Sequence, residues 1–122
     1  MPLQLDTGKT SLDMFFKDYQ IESLRYLWRI RPEGANSRAA WTNVNDSLQG
    51  TISRASIINY LNAMVDEGLL TYTERTGKGG HQRVYRIAFN EPEFKQHIAG
   101  LIITKLLKEY PQETRKAISE NR

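Results

Sequence analysis

A glycine-rich turn between two β-forming segments is the feature that most constrains the fold of this chain. The turn is Thr76-Gly77-Lys78-Gly79-Gly80-His81, and the flanking segments 69–75 and 82–89 are rich in β-branched and aromatic residues. Glycine clusters of this kind mark tight reversals of the chain. The sequence therefore predicts one β-hairpin with a basic tip, and the other periodic segments of the chain have helical rather than strand spacing.

Four segments with apolar residues at helical spacing precede the hairpin. The first, over 11–19, is short and has Ser11 as its candidate N-cap. Three longer helices are predicted over 21–30, 38–49 and 54–67, each with one apolar face. The sequence therefore predicts a three-helix core followed by the hairpin.

Polar residues and glycines mark the ends of the second and third of these longer helices. Ser37 or Asn36 is the candidate N-cap of the second, and Ser53 is that of the third. Gly50 and Gly68 stand where a left-handed residue often ends a helix. The connection between the two helices is therefore short, as in a helix-turn-helix.

A last long helix is predicted over 91–110, and residues 112–122 are expected to form either a polar tail or a short final helix. The long helix has more apolar side chains than one buried stripe accommodates, and an uncovered apolar face indicates a protein–protein contact. We expect this face to join two copies of the chain. The residues predicted for the dimer interface are Phe94, Ile98, Leu101, Ile102, Ile103, Leu106 and Tyr110.

The composition argues against several classes of protein. The 122 residues include no cysteine, which excludes disulfides and thiolate metal sites. No apolar run approaches the roughly 20 residues that span a bilayer, and the N-terminus does not resemble a signal peptide, so we expect a cytoplasmic protein. Gly8-Lys9-Thr10 lacks the earlier glycine of a phosphate-binding loop, and the two histidines are far apart. With no nucleophile-plus-base pattern, we expect neither catalysis, nor a metal, nor a cofactor.

The outward positions of the third helix are polar but mostly uncharged. Arg54, Ser56, Asn59 and Asn62 stand there, where a helix that needed only solubility would more often have Glu and Lys. Amide and guanidinium groups on such a helix suit base edges in the major groove of DNA. A polar surface without a partner is the alternative interpretation of this face.

Positive charge is concentrated in the hairpin, although the net charge of the whole chain is only +3. Residues 74–86 include four Lys or Arg side chains and one acid, Glu74. Such a segment is either a solvated basic loop or a source of cations for DNA phosphates. Because this segment accompanies the polar third helix, we expect it to supply cations to DNA phosphates.

The chain resembles the winged-helix repressors of the penicillinase-repressor and MarR type over about residues 20–89. The resemblance rests on the run from Ile52 to Leu70, on the charged hairpin after it, and on Val84-Tyr85. In such families the third helix reads the operator, the wing grips the DNA backbone and C-terminal helices join two subunits. The resemblance implies that Arg54, Ala55 and Asn59 face bases and that residues 77–81 form the wing tip.

These observations predict an α+β, mainly α fold. It is a winged helix-turn-helix domain over 20–89, preceded by an arm with a short helix over 1–19 and followed by a dimerisation helix over 90–122. The expected function is that of a sequence-specific regulator, more specifically a repressor, that binds double-stranded DNA as a homodimer on a palindromic operator. The residues expected to contact bases are Arg54, Ala55, Ser56 and Asn59. Those expected to contact the DNA backbone are Ser37, Arg38, Ser53, Arg75, Lys78, His81 and Arg83.

Two further hypotheses stay open at the level of sequence. Winged helices also serve as protein-docking modules in larger complexes, which is the alternative function. The second hypothesis is that the chain also binds an unknown small-molecule effector, at a site near Phe94 and Trp28.

Overall fold

The computed structural model of the chain describes residues 3–77 and 80–121 and has an α+β, mainly helical fold. The elements in chain order are a 3-10 turn Ser11–Met14, α1 Asp18–Arg29, α2 Ser37–Ser47, α3 Arg54–Asp66, β1 Thr71–Gly77, β2 Gly80–Arg86, α4 Glu91–Glu109 and α5 Pro111–Glu120. They form two compact units, of which the first ends at Asn90 and the second begins at Glu91.

Helices α1, α2 and α3 pack against one another and form the core of the first unit. Each contributes one buried apolar face, as their spacing predicts. Burial of each such aliphatic side chain stabilises the fold by about 1.5–3 kcal/mol. The buried side chains of these faces are Ile21, Leu24, Leu27, Ala40, Val44, Ile57, Leu61 and Met64.

The single helix predicted over 11–19 does not form, because a 3-10 turn covers only Ser11–Met14 and the last two residues of the range already belong to α1. Ser11 has a positive φ of 52° and is the first residue of that turn rather than its N-cap. Helix α1 then begins at Asp18, three residues earlier than predicted, because the Gln20 side chain accepts a hydrogen bond from the Lys17 backbone N–H at 2.9 Å. This bond satisfies one of the donors near a helix start, and it separates the turn from α1.

The helix caps explain where α2 and α3 begin. Of the two candidates for α2, Asn36 is the N-cap, since its Oδ1 accepts from the Ala39 backbone N–H at 2.8 Å. Ser37 is therefore the first residue of the helix. Ser53 caps α3 as predicted, because its Oγ accepts from the Ser56 N–H at 3.1 Å.

Left-handed residues end α2 and α3. Gly68 follows α3 with φ 76° and donates its N–H to Val65 at 3.0 Å. After α2, both Gln49 and Gly50 are left-handed, with φ of 60° and 80°. The predicted glycine is thus the second of two such residues, and its N–H donates to the Asn45 carbonyl at 2.7 Å.

Strands β1 and β2 form the predicted antiparallel hairpin, in which Thr71 pairs with Arg86 and Gly77 with Gly80. Ala35, in the loop between α1 and α2, adds an isolated bridge to β2. Its N–H donates to the Tyr85 carbonyl at 2.9 Å, and the Tyr85 N–H donates to its carbonyl at 2.8 Å. These two bonds tie the hairpin to the start of α2.

Helices α4 and α5 form the second unit. Helix α4 ends at Glu109, and Pro111 occupies the first position of α5, where a proline needs no hydrogen-bond partner. The C-terminal segment is therefore a short helix rather than a polar tail. The Thr114 hydroxyl donates to the Leu106 carbonyl at 3.0 Å and fixes the turn between the two helices. In the part of the chain that the structure describes, no helix has both the length and the apolar character needed to cross a membrane.

Candidate nucleic-acid interface

The first half of α3 presents side chains that the protein itself does not use. Arg54, Ala55 and Asn59 are exposed. Within residues 3–77 and 80–121, the Arg54 guanidinium and the Asn59 amide have no hydrogen-bond or ion-pair partner. Their donors and acceptors are therefore available to a ligand.

Ser53 and Ser56 are bonded to each other at the start of α3. Their hydroxyl oxygens are 2.8 Å apart, and Ser53 also accepts from the Ser56 backbone N–H. Ser56 is half-buried. These two predicted DNA contacts thus already have a structural role in the cap, whereas Arg54 and Asn59 have no such role within the described residues.

The turn between α2 and α3 is fixed by two hydrogen bonds to Ile52. The Trp41 indole N–H donates to the Ile52 carbonyl at 2.8 Å, and the Ile52 N–H donates to Asn45 Oδ1 at 3.2 Å. The backbone carbonyl and the backbone N–H of Ile52 thus both have hydrogen-bond partners just before α3 begins. The start of α3 is held in one orientation relative to α2, a constraint that the sequence analysis missed.

Asn62 connects α3 to the hairpin. Its Oδ1 accepts from the Tyr85 hydroxyl at 2.6 Å and from the Arg83 guanidinium at 3.0 Å. The Arg83 guanidinium also lies 4.1 Å from the centre of the Tyr72 ring, a cation–π contact. Arg83 is exposed and was predicted to contact the DNA backbone, but its guanidinium is engaged in holding the hairpin on α3. We call Asn62, Tyr72, Arg83 and Tyr85 the hairpin latch.

Burial favours the neutral form of Tyr85 within the latch. It raises the pKa of the Tyr85 phenol, and the positive charge of Arg83 opposes this with a smaller effect. The phenol is therefore protonated at neutral pH and donates its proton to Asn62. The latch keeps this hydrogen bond throughout the physiological pH range.

Other basic side chains lie around the start of α2 and along the hairpin. Arg75 stands opposite Gln82 in the strand register, and the Gln82 side chain accepts from the Asn36 amide at 2.8 Å. Because directly paired residues of two strands are neighbours, Arg75 lies beside Gln82, whose side chain contacts the N-cap residue of α2. Arg38 and Arg75 are exposed and have no ion-pair partner in the described residues.

The tip of the hairpin is described only in part. His81 is exposed and pairs with Thr76 in the register. Lys78, which was predicted to contact the DNA backbone, lies outside the described residues.

The residues predicted for a dimer interface divide into three groups by exposure. Phe94 and Ile98 are buried in the single chain, at 0% and 2% exposure, which removes them from the predicted interface. Leu101 and Ile102 are half-buried. The exposed members are Ile103 at 42%, Leu106 at 40% and Tyr110 at 58%.

Among residues 3–77 and 80–121, no three His, Asp or Glu side chains are grouped so that they could hold a metal ion. Comparison with protein-family models, with curated proteins and with solved structures finds no match to this chain. A function for it must therefore be argued from the geometry of α3, the hairpin and α4.

Proposed function

We propose that the chain is a winged-helix regulator that binds double-stranded DNA sequence-specifically, as a homodimer on a palindromic operator. The observation that carries the proposal is the exposed first half of α3, where Arg54 and Asn59 have no partner within the described chain. Exposed guanidinium and amide groups on such a helix are what direct reading of base edges requires.

The chemistry of these two side chains suits direct reading of base pairs. A guanidinium donates two hydrogen bonds to O6 and N7 of guanine, and a carboxamide pairs in two-point fashion with N6 and N7 of adenine. In a helix-turn-helix protein, the N-terminal residues of the recognition helix reach the base edges. Arg54 and Asn59 lie in that half of α3, and Ala55 between them suits contact with a thymine methyl group.

Cations on both sides of α3 would position the protein on the DNA backbone. The start of α2 offers backbone N–H groups and Arg38, and a helix N-terminus favours a phosphate. Arg75 on β1 and His81 on β2 would add further cationic or polar contacts to the backbone, and Lys78 is proposed for the same role from the sequence. These contacts would supply affinity and register but little sequence information.

A second copy of the chain would cover the exposed face of α4. Ile103 and Leu106 are three residues apart in α4, so they lie on one side of the helix, and the exposed Tyr110 directly follows its last residue. A two-fold dimer would place two recognition helices about 34 Å apart, one turn of DNA, and so require a palindromic site.

The salt dependence of DNA binding tests this proposal. Fluorescence anisotropy with a mixed-sequence duplex should show a binding constant that falls linearly with salt concentration on logarithmic axes. Arg38→Ala and Arg75→Ala should each reduce the slope by about 0.9 for every phosphate that the protein no longer neutralises. Arg115→Ala, which removes an exposed arginine of α5, is the matched control and should leave the slope unchanged.

The alternative, a protein-docking module, makes the opposite prediction. Its binding to duplex DNA would be absent or indifferent to both substitutions near α2. That result would redirect the search towards a protein partner.

A further inference from the structure

A cleft of about 290 Å³ opens between the segment before α1, α1 itself and α3. Three aromatic rings line it, those of Phe16, Tyr19 and Tyr60, together with Met64 and Ala63 of α3. Ligand sites in proteins are typically apolar clefts of about 300–1,000 Å³ with a few polar groups. The volume of this cleft is just below that range and suits a single-ring molecule.

The Tyr60 hydroxyl is buried without a hydrogen-bond partner in the described residues. Its ring makes edge-on contacts with Phe16 and Tyr19, with ring centres 6.0 and 6.1 Å apart. A buried hydroxyl with no partner destabilises the folded chain, because it loses its hydrogen bonds to water and gains none. Buried hydroxyls without a partner are rare in native proteins. This one stabilises the protein only if a ligand accepts its hydrogen bond.

Burial also fixes the protonation state of this hydroxyl. It raises the pKa of Tyr60 well above the ordinary value of 10.0, with a smaller contribution from Tyr19. The phenol therefore remains protonated and offers a proton to an acceptor. The complementary group on a ligand is an oxygen acceptor such as a carbonyl.

The remaining polar groups of the cleft limit what it can bind. No side chain that lines it is charged, so an ionic ligand would lose its hydration without gaining a counter-charge. The Gln20 amide already bonds to the Lys17 N–H and the Tyr19 hydroxyl, and the Ser56 hydroxyl bonds to Ser53. Asn59 is the exception, since it lines the cleft and its amide has no partner within the described chain.

We propose that this cleft binds a small, neutral, single-ring compound whose carbonyl oxygen accepts a hydrogen bond from Tyr60, and that this compound competes with DNA for Asn59. The second half of the proposal rests on the proposed function, and the first half does not. In the structure the hydroxyl is closed off from solvent, so the rings around it must shift for a ligand to reach it. Because linkage is reciprocal, a ligand that weakens DNA binding is itself bound more weakly in the presence of DNA.

A comparison of two matched probes tests the site without DNA. Acetophenone has a carbonyl oxygen and ethylbenzene does not, while both are neutral single rings of similar size. In ¹H–¹⁵N NMR titrations of the full chain, both should shift signals of residues that line the cleft. Acetophenone should bind about 2- to 10-fold more tightly than ethylbenzene, and Tyr60→Phe should abolish that difference.

Thermal unfolding distinguishes a hydroxyl that awaits a ligand from one with a purely structural role, because the two predict opposite changes in Tm for Tyr60→Phe. Tyr60→Phe keeps the ring but removes the unsatisfied hydroxyl, so it should raise the Tm while it weakens acetophenone binding. A lower Tm for Tyr60→Phe would show that the hydroxyl is bonded within the fold and would overturn the proposal. Unshifted cleft signals with both probes, up to their solubility limits, would overturn it as well.

A cleft-filling variant locates the site independently of Tyr60. Ala63→Leu should abolish binding of both probes, whereas Ala117→Leu, on the exposed surface of α5, should not change it.

Acetophenone should then weaken binding to duplex DNA in the wild-type chain but not in Ala63→Leu. If acetophenone binds and the chain fails to bind DNA, the cleft stands and the proposed function fails. If DNA binding is present and insensitive to bound acetophenone, the competition for Asn59 is wrong.

Discussion

Two asparagines on α3 have different tasks because their side chains meet different surroundings. Asn62 is half-buried and accepts two hydrogen bonds from the hairpin, whereas Asn59 is exposed and has no partner within the described chain. An amide of the first kind contributes to stability, because its loss leaves the largely buried Tyr85 hydroxyl without its acceptor. The amide of Asn59 gains a hydrogen-bond partner only when a ligand binds.

Substitutions of the two side chains best placed to read bases should therefore affect specificity more than stability. Arg54→Ala and Asn59→Ala should each weaken binding to the preferred DNA site by about 1–3 kcal/mol and relax the choice of base at one position. Competition anisotropy with single-base variants of the site measures both effects. Arg115→Ala should change neither. Undiminished binding of Arg54→Ala at the preferred site would mean that another surface reads the DNA.

At the scale of elements, the hairpin latch determines where the hairpin lies relative to α3. Asn62→Ala leaves the buried Tyr85 hydroxyl without its acceptor and should destabilise the fold by about 1–3 kcal/mol. Tyr85→Phe should cost less, and a double-mutant cycle should give a coupling of about 0.5–3 kcal/mol. Urea unfolding measures these changes, and Asn59→Ala on the same helix is the control, with an effect close to zero. Additive effects of Asn62→Ala and Tyr85→Phe would show that the hydrogen bond contributes nothing.

A close approach of the α1–α2 loop to β2 holds the hairpin from a second side. Gly34 has φ 77°, and a Cβ atom there would lie 2.5 Å from the Tyr85 carbonyl oxygen, next to the Ala35 bridge. Gly50 has nearly the same φ, 80°, but nothing lies within 4 Å of its Cβ position. Both glycines therefore adopt a left-handed backbone, and only the first is also crowded.

The two glycines form a matched pair for substitution. Gly50→Ala should cost about 1–2 kcal/mol, which is the penalty of the left-handed backbone alone. Gly34→Ala should lower the free energy of unfolding by about 1–3 kcal/mol more than Gly50→Ala does, because the loop must also move away from β2. Unfolding by urea compares the two, and equal losses would mean that the Ala35–Tyr85 pairing does not depend on this close approach.

The sequence predicted the regular elements better than the contacts between them. Local spacing and caps identified α1 to α4, the cap at Ser53 and the hairpin, because these depend on residues a few positions apart. The latch and the Trp41–Ile52 bond join residues that are distant in sequence or that belong to different elements, so no local pattern reveals them. Arg83 shows the consequence, since a basic residue in a hairpin suggests a phosphate contact until its partners Tyr72 and Asn62 are known.

The same limit explains the errors at the two ends of the chain. Phe94 and Ile98 fit an exposed stripe as well as a buried one, and only the structure shows that they are buried. The segment over 11–19 has helical spacing, but the Lys17–Gln20 bond begins a helix inside it and leaves only a 3-10 turn before. Apolar periodicity identifies the faces of helices without saying what covers them.

At the scale of the whole molecule, the proposed function requires two copies joined through α4. Leu106→Glu places a charge on the exposed apolar face and should convert the dimer to a monomer, because desolvating a carboxylate in an interface is costly. Sedimentation velocity measures the state, and Thr104→Glu on an exposed neighbouring position should leave the dimer intact. The monomer should bind a palindromic site about 100-fold more weakly or worse, since it loses the gain from two linked half-sites. A wild-type chain that sediments as a monomer would contradict this part of the account.

Selection from a random pool of duplex DNA, with the purified chain at near-physiological salt, tests whether α3 reads bases in a two-fold dimer. An inverted repeat whose half-sites are about 34 Å apart should be enriched, because two recognition helices related by two-fold symmetry read the same bases in opposite directions. A pool that remains random after repeated rounds would contradict base reading by α3 and leave the protein-docking module as the function to pursue.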